Sequence, residues 1–121
     1  MSIAGQLIEL NKLLSFNKAI ALERVGGDTE LLREVAQLYL GEYPGLLTQM
    51  RSALDARDPD RLQRAAHTLK GSLGTLGAER ALRFIIQLET MGRTGNLDGC
   101  ESAYSDLEAA LGNFHRELEA V

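Results

Sequence analysis

The sequence predicts an all-α protein, an antiparallel up-down four-helix bundle with additional short N-terminal helices. Three observations carry that expectation. Apolar residues recur at helical spacing through most of the chain. Glycine pairs and an Asp-Pro step punctuate it at short intervals. The composition, with 2 prolines, 5% aromatic residues and no tryptophan in 121 residues, favours helix over sheet. Long helices joined by short turns must run antiparallel to their neighbours.

Ser2 to Leu14, with Ile3, Leu7, Leu10 and Leu14 in helical register, reads as a helical extension over residues 1–15 lying across the bundle end. Asn17 is suited to cap a short helix through Val25, which Gly26-Gly27 stops. Asp28 caps a long helix whose core side is assigned to Leu31, Leu32, Val35, Leu38, Leu40, Leu46, Leu47 and Met50. Pro44 lies inside it and removes one backbone donor, so a kink is expected rather than two helices. Asp58-Pro59 is a restart signal, an N-cap followed by proline in the first turn. The next helix runs from about Pro59 to Leu76 and ends at Gly77. Another covers about Glu79 to Arg93, closed by Gly95-Asn96. The last spans about Leu97 to Glu119, with Leu97, Tyr104, Leu107, Leu111, Phe114 and Leu118 on one side.

The length suits one domain with one core. Seventeen acidic against thirteen basic residues give a net charge of −4, which disfavours non-specific binding to nucleic acid or anionic membrane. Cys100 is the single cysteine, so neither an intrachain disulfide nor a cysteine metal site is expected. No apolar run is long enough to span a bilayer. The start, MSIAGQLIELNKLL, carries Glu9 and no basic leader, unlike a secretory signal. A cytoplasmic monomer without cofactor or metal is expected. A nucleotide-dependent kinase would need a separate nucleotide fold that a short helical chain does not supply.

The segment 59-PDRLQRAAHTLKGSLGTLG-77 carries the chemical signal. At about 100° per residue, Leu62, Ala65, Ala66, Leu69, Leu73 and Leu76 share one direction, and His67 points about 150° away from it, toward solvent. Gly71 and Gly74 fall on the histidine's face at i+4 and i+7. Two interior helical glycines cost up to about 2 kcal/mol relative to alanine, so they imply a surface kept bare for a partner's close approach. Gln63, Arg64 and Lys70 flank His67 at i−4, i−3 and i+3, a surround suited to an anionic or phosphoryl group. An imidazole is largely neutral, and nucleophilic, near neutral pH. No carboxylate lies at i±3 or i±4, and Asp60, two turns back, serves the helix N-terminus. A nucleophile with no acid, base or metal of its own is half of a site, to be completed by another protein. His115, at the border of the last helix's apolar stripe and without a same-face glycine, reads as a half-buried structural residue. Ser72 points away from His67 and reads as a small packing residue.

The run 67-HTLKGSLGTLGA-78 resembles the signature of histidine phosphotransfer (HPt) domains: H-x-x-K-G, a small residue, and a glycine ten positions after the histidine. His67, Lys70, Gly71, Ser72 and Gly77 fill those places. The stretches 19-AIALERVGGDTELLREVAQLYL-40 and 78-AERALRFIIQLETMGRTGNL-97, and Pro44, are similar to the family's usual run, placing an HPt core at residues 16–120. The resemblance implies that His67 accepts a phosphoryl group on Nε2 from the phospho-aspartate of a response-regulator receiver domain and passes it to another receiver. A sensor histidine kinase would stand upstream, and Mg²⁺ and most of the catalysis would belong to the receiver. Lys70 would help hold the phosphoryl charge, and Gly71 would clear space for receiver loops. The histidine-bearing first domain of a chemotaxis-type kinase carries a nearly identical motif. A purely structural helical adaptor is the alternative from another class, and would leave His67 dispensable.

Overall fold

The computed structural model describes residues 12–121, in five helices: α1 (Lys18–Arg24), α2 (Thr29–Asp55), α3 (Pro59–Thr75), α4 (Glu79–Thr94) and α5 (Cys100–Leu118). The extension expected over residues 1–15 lies outside the described residues as far as Asn11. Three starts follow the capping signals. Asn17, Asp28 and Asp58 each accept a backbone hydrogen bond from the residue three positions on, a contact typically contributing about 1 kcal/mol.

Helices α2 to α5 form the bundle. Helix α3 packs most extensively on α4, α2 lies against α3, and α5 lies against α4. The core is filled by Leu32, Met50, Leu62, Leu69, Leu73, Ile85, Leu88, Leu107, Leu111 and Phe114, and among the described residues no polar or charged residue is buried with them. No described helix is long and apolar enough to cross a membrane.

Helix α2 continues unbroken through Pro44, so the chain makes one long helix there, as expected. Its core face differs from the expected one. Leu31 and Leu38 are exposed, at 40% and 66%, and Val35, Leu40, Leu46 and Leu47 only edge the core. Leu32 and Met50 are buried as expected, and Ala36, Tyr39, Ala53 and Leu54 complete the inward stripe. Small Ala36 lets the helix sit close, and Tyr39 keeps its hydroxyl at the core's rim, hydrogen-bonded to His115. At the last helix the Gly99 backbone is left-handed (φ 81°) and α5 begins at Cys100, three residues later than expected. Leu97 is buried all the same.

The turn between α3 and α4 is clamped by the chain entering α1. The Asn17 N–H donates to the Gly77 carbonyl at 2.7 Å, and Asn17 Nδ2 and the Leu14 N–H donate to the two carboxylate oxygens of Glu79. Those bonds hold the Glu79 carboxyl below the usual carboxylate range. Gly77 has φ 71°, and a Cβ there would stand 2.5 Å from the Asn17 carbonyl oxygen. Only glycine meets both demands.

Candidate functional site

Helix α3 splits its residues as the periodicity requires. Leu62, Ala65, Ala66, Leu69 and Leu73 are buried, and the His67 side chain on the opposite side is 70% exposed. Gly71 is exposed and Gly74 half-buried, and a methyl built on either would meet nothing within 4 Å. The bare ridge expected beside the histidine is therefore present. Gly71, with Ser72, Thr75 and Leu76, forms one wall of a groove whose other wall is Val35, Leu38, Tyr39 and Glu42 of α2.

The polar flank is arranged differently from the expectation. His67 is not without a carboxylate: Glu89, reaching across from α4, places Oε2 3.4 Å from His67 Nδ1. Lys70 Nζ lies 2.9 Å from both oxygens of that carboxylate and donates to Oε1. Oε2 is shut off from solvent, with the Lys70 ammonium and the His67 ring as its two neighbours. Burial opposes ionisation of Glu89, but the hydrogen bond and charge of Lys70, joined by His67, outweigh it and hold the carboxyl below its ordinary range. Lys70 is thus not a loose cation. It is committed to Glu89, and the glutamate is only 15% exposed.

The remaining flanking residues separate. Arg64 is exposed beside His67, while Gln63 is half-buried at the seam with α4. There the two backbones lie close together: a Cβ on Gly92 would stand 2.7 Å from the Gln63 nitrogen and 2.8 Å from the Pro59 carbonyl oxygen. Gly92 is a glycine because one backbone lies against another. Ser72, half-buried in the groove wall, has a packing position, as expected. Sequence reasoning missed Glu89 and Gly92. A signal existed, since α4 carries a carboxylate one turn before an interior glycine that serves no turn.

Chemically, an ionised carboxylate can only accept, so the ring nitrogen facing it, Nδ1, carries the proton. The lone pair of the neutral imidazole then resides on Nε2, on the ring's far side. The arrangement is an oriented nitrogen nucleophile on an open surface.

The fold and this site define a helical bundle built to present one histidine to a partner. A family model described as the Hpt domain matches residues 34–118. The chain belongs to the Hpt-domain family, and its role is histidine phosphotransfer in phosphorelays. Among solved structures, the crystal structure of histidine-containing phosphotransfer protein B (HptB) from Pseudomonas aeruginosa PAO1 superposes with a TM-score of 0.80, at 17% identity, over 88% of this chain and 92% of that one. That likeness is one of fold. No curated protein sequence matches. Hpt domains work with receiver domains and histidine kinases, which fixes the class of partner.

Proposed function

We propose that His67 is the phosphoacceptor, taking a phosphoryl group on Nε2 from the phospho-aspartate of a receiver domain and delivering it to the aspartate of a second receiver. The observation that carries this reading is the His67–Glu89 contact at Nδ1 on a ring 70% exposed, which favours a proton on Nδ1 and a free Nε2. The chain acts as a carrier, not an enzyme, because the site holds one oriented nucleophile and the partner must supply the rest. Gly71 and Gly74 admit the receiver's backbone, with Gln63 and Arg64 at the rim. Exposed Leu38, in the groove wall beside Gly71, offers the receiver an apolar foothold. Lys70 holds Glu89 in the resting protein and shares its charge with the phosphoryl group once that arrives.

The domain is taken to run from residue 16 to 120, wider than the matched 34–118. In support, Phe16 packs edge-on against Phe114 at 5.7 Å between ring centroids, and Asn17 is bonded to Gly77 and Glu79. A monomer acting in the cytoplasm completes the proposal.

The test is incubation with a phosphorylated receiver, followed by mapping of acid-labile, base-stable phosphate. Label is expected at His67, absent in His67→Gln and unchanged in His115→Gln. Label at His115, or persisting in His67→Gln, would overturn the assignment.

A further inference from the structure

Charge is spread unevenly along this chain. From Arg57 to Arg93, across the α3–α4 hairpin, seven basic residues meet four acidic ones; from Asp98 to Val121 one basic residue meets six. A chain of net charge −4 therefore gathers its cations on the two helices that hold His67 and Glu89. Arginines on α2 are neutralised locally, Arg33 by Glu30 and Arg51 by Asp55 and Glu101.

On the hairpin four arginines are left over. Arg57 in the α2–α3 turn, Arg61 and Arg64 on α3 and Arg93 in the last turn of α4 are exposed, and none of the four is ion-paired among the described residues. Arg57 reaches the Cys100 thiol at 3.6 Å and Arg61 the Ser52 hydroxyl at 3.0 Å, contacts that leave both charges unbalanced. Asp60 is the one exposed carboxylate between Arg57 and Arg64. Arg93 joins the group because its neighbour Gly92 lies against Pro59 and Gln63 of α3. His67 stands three residues beyond Arg64, and Gly71, with Leu38 across the groove, follows on its other side. The face is divided at the histidine, cationic before it and bare and apolar after it.

We propose that Arg57, Arg61, Arg64 and Arg93 form a docking rail for acidic side chains on the receiver surface beside its phosphoryl pocket, and that this charge match selects which receivers the carrier serves. The inference rests on His67 being the phosphoacceptor. Arg61 and Arg57 lie six and ten residues before it, roughly 9 and 15 Å along the helix direction at 1.5 Å per residue. Exposed charges that far apart are largely screened from one another at an ionic strength of about 0.1 M, where the screening length is about 10 Å. The outer arginines therefore act little on the transferring group itself. They are well placed to act on a partner's surface: a standard interface covers about 800 Å² of each protein, a disc of roughly 16 Å radius, so a receiver centred on His67 covers the rail. The acidic α5, beyond α4, repels the same partner, and the field of the whole molecule favours the productive approach.

The experiment times phosphoryl transfer to the whole protein from a sub-saturating phosphorylated receiver domain that exchanges with wild type. Sodium chloride is varied from about 0.05 to 0.5 M, over which the screening length falls from roughly 14 to 4 Å. Arg93→Glu is compared with Arg116→Glu on α5, which makes the same change in net charge away from the rail. At low salt Arg93→Glu should be about tenfold slower than wild type, with the gap closing to less than about twofold at high salt. Arg116→Glu should stay within about twofold throughout. Neutralising the acidic residues on the receiver surface around, but outside, its metal-binding pocket should abolish the difference between wild type and Arg93→Glu. Labelling of His67 by phosphoramidate, a small donor that needs no receiver, should proceed alike in all three proteins. Equal losses in the two variants, a gap that ignores salt, a gap that survives the neutralised receiver, or a matching loss of phosphoramidate labelling in Arg93→Glu would each overturn the rail. Failure of phosphoramidate to label His67 in folded wild type would instead overturn the acceptor assignment beneath it.

Discussion

The two histidines of this chain meet their neighbours through opposite ring nitrogens. At His115, Nε2 lies 2.7 Å from the Tyr39 hydroxyl. Burial pushes the Tyr39 hydroxyl far above its ordinary value, so it keeps its proton beside the ring. The ring is closed in further by Tyr43, with centroids 4.2 Å apart, and by Phe114. At His67 a carboxylate faces Nδ1, the ring is 70% exposed, and Gly71 one turn on carries no side chain. Nucleophilicity here is a matter of which nitrogen the neighbour occupies. A hydroxyl occupies Nε2 at His115; a carboxylate faces Nδ1 at His67 and leaves Nε2 unoccupied.

Blocking access to His67 should make it as inert as His115, and Gly71→Leu does so most severely. The side chain would stand one turn above the ring, in open space in the free protein, so the bundle should fold. Against a docked receiver it would cost at least the roughly 1–3 kcal/mol of overpacking at a tight interface, and transfer should fall about 100-fold or more. Gly71→Ala should raise stability by up to about 1 kcal/mol while slowing transfer. Thermal melts beside transfer rates from one phospho-receiver decide it; a variant less stable yet fully active would mean that the glycine serves packing.

A middle-sized effect is expected where the comparison turns on charge. Lys70→Ala strips Glu89 of its hydrogen-bond donor and the phosphoryl group of a nearby cation, interactions contributing roughly 0.5–2 kcal/mol. Phosphotransfer rate or phosphohistidine lifetime should change about twofold to thirtyfold, with the circular dichroism spectrum retained. Unchanged kinetics would take Lys70 out of the site.

The smallest effect belongs to His115. Burial lowers its pKa below the ordinary value near 6.5, partly opposed by Glu119. A histidine held neutral by the fold contributes stability above its unfolded pKa, and that stability is lost as pH falls through the lower folded value. The melting temperature should therefore decline as pH drops below about 6, and His115→Gln should flatten that decline even though its melting point is lower throughout. A slope identical in the two proteins would show that His115 does not titrate with folding.

How much of this was legible in the sequence follows from how far each relation reaches along the chain. His67, Gly71 and Gly74 share one helix, where an angle of about 100° per residue fixes their common face before any tertiary contact forms. The caps at Asn17, Asp28 and Asp58 are local for the same reason. Glu89 is 19 residues from Lys70, and its place depends on the α3–α4 turn and on how closely the helices approach, neither of which periodicity encodes. The core face of α2 departs in part from its apolar stripe for a related reason. Leu31 and Leu38 are more apolar than Ala36 or Tyr39, but fit against α3 and α5, not apolarity, decided which stripe turned inward.

At Gly92 two helix backbones touch with no side chain between them. Glu89 stands three residues from that contact along α4, and His67 stands four from Gln63 along α3, so each is about one turn, on the order of 5 Å, away. The crossing behaves like the fixed jaw of a calliper. The gap between ring and carboxylate is gauged from bare main chain. A bulkier residue at position 92 would change the spacing of the proposed acceptor and its carboxylate without altering either group, so that setting resides partly in an atom the chain leaves out.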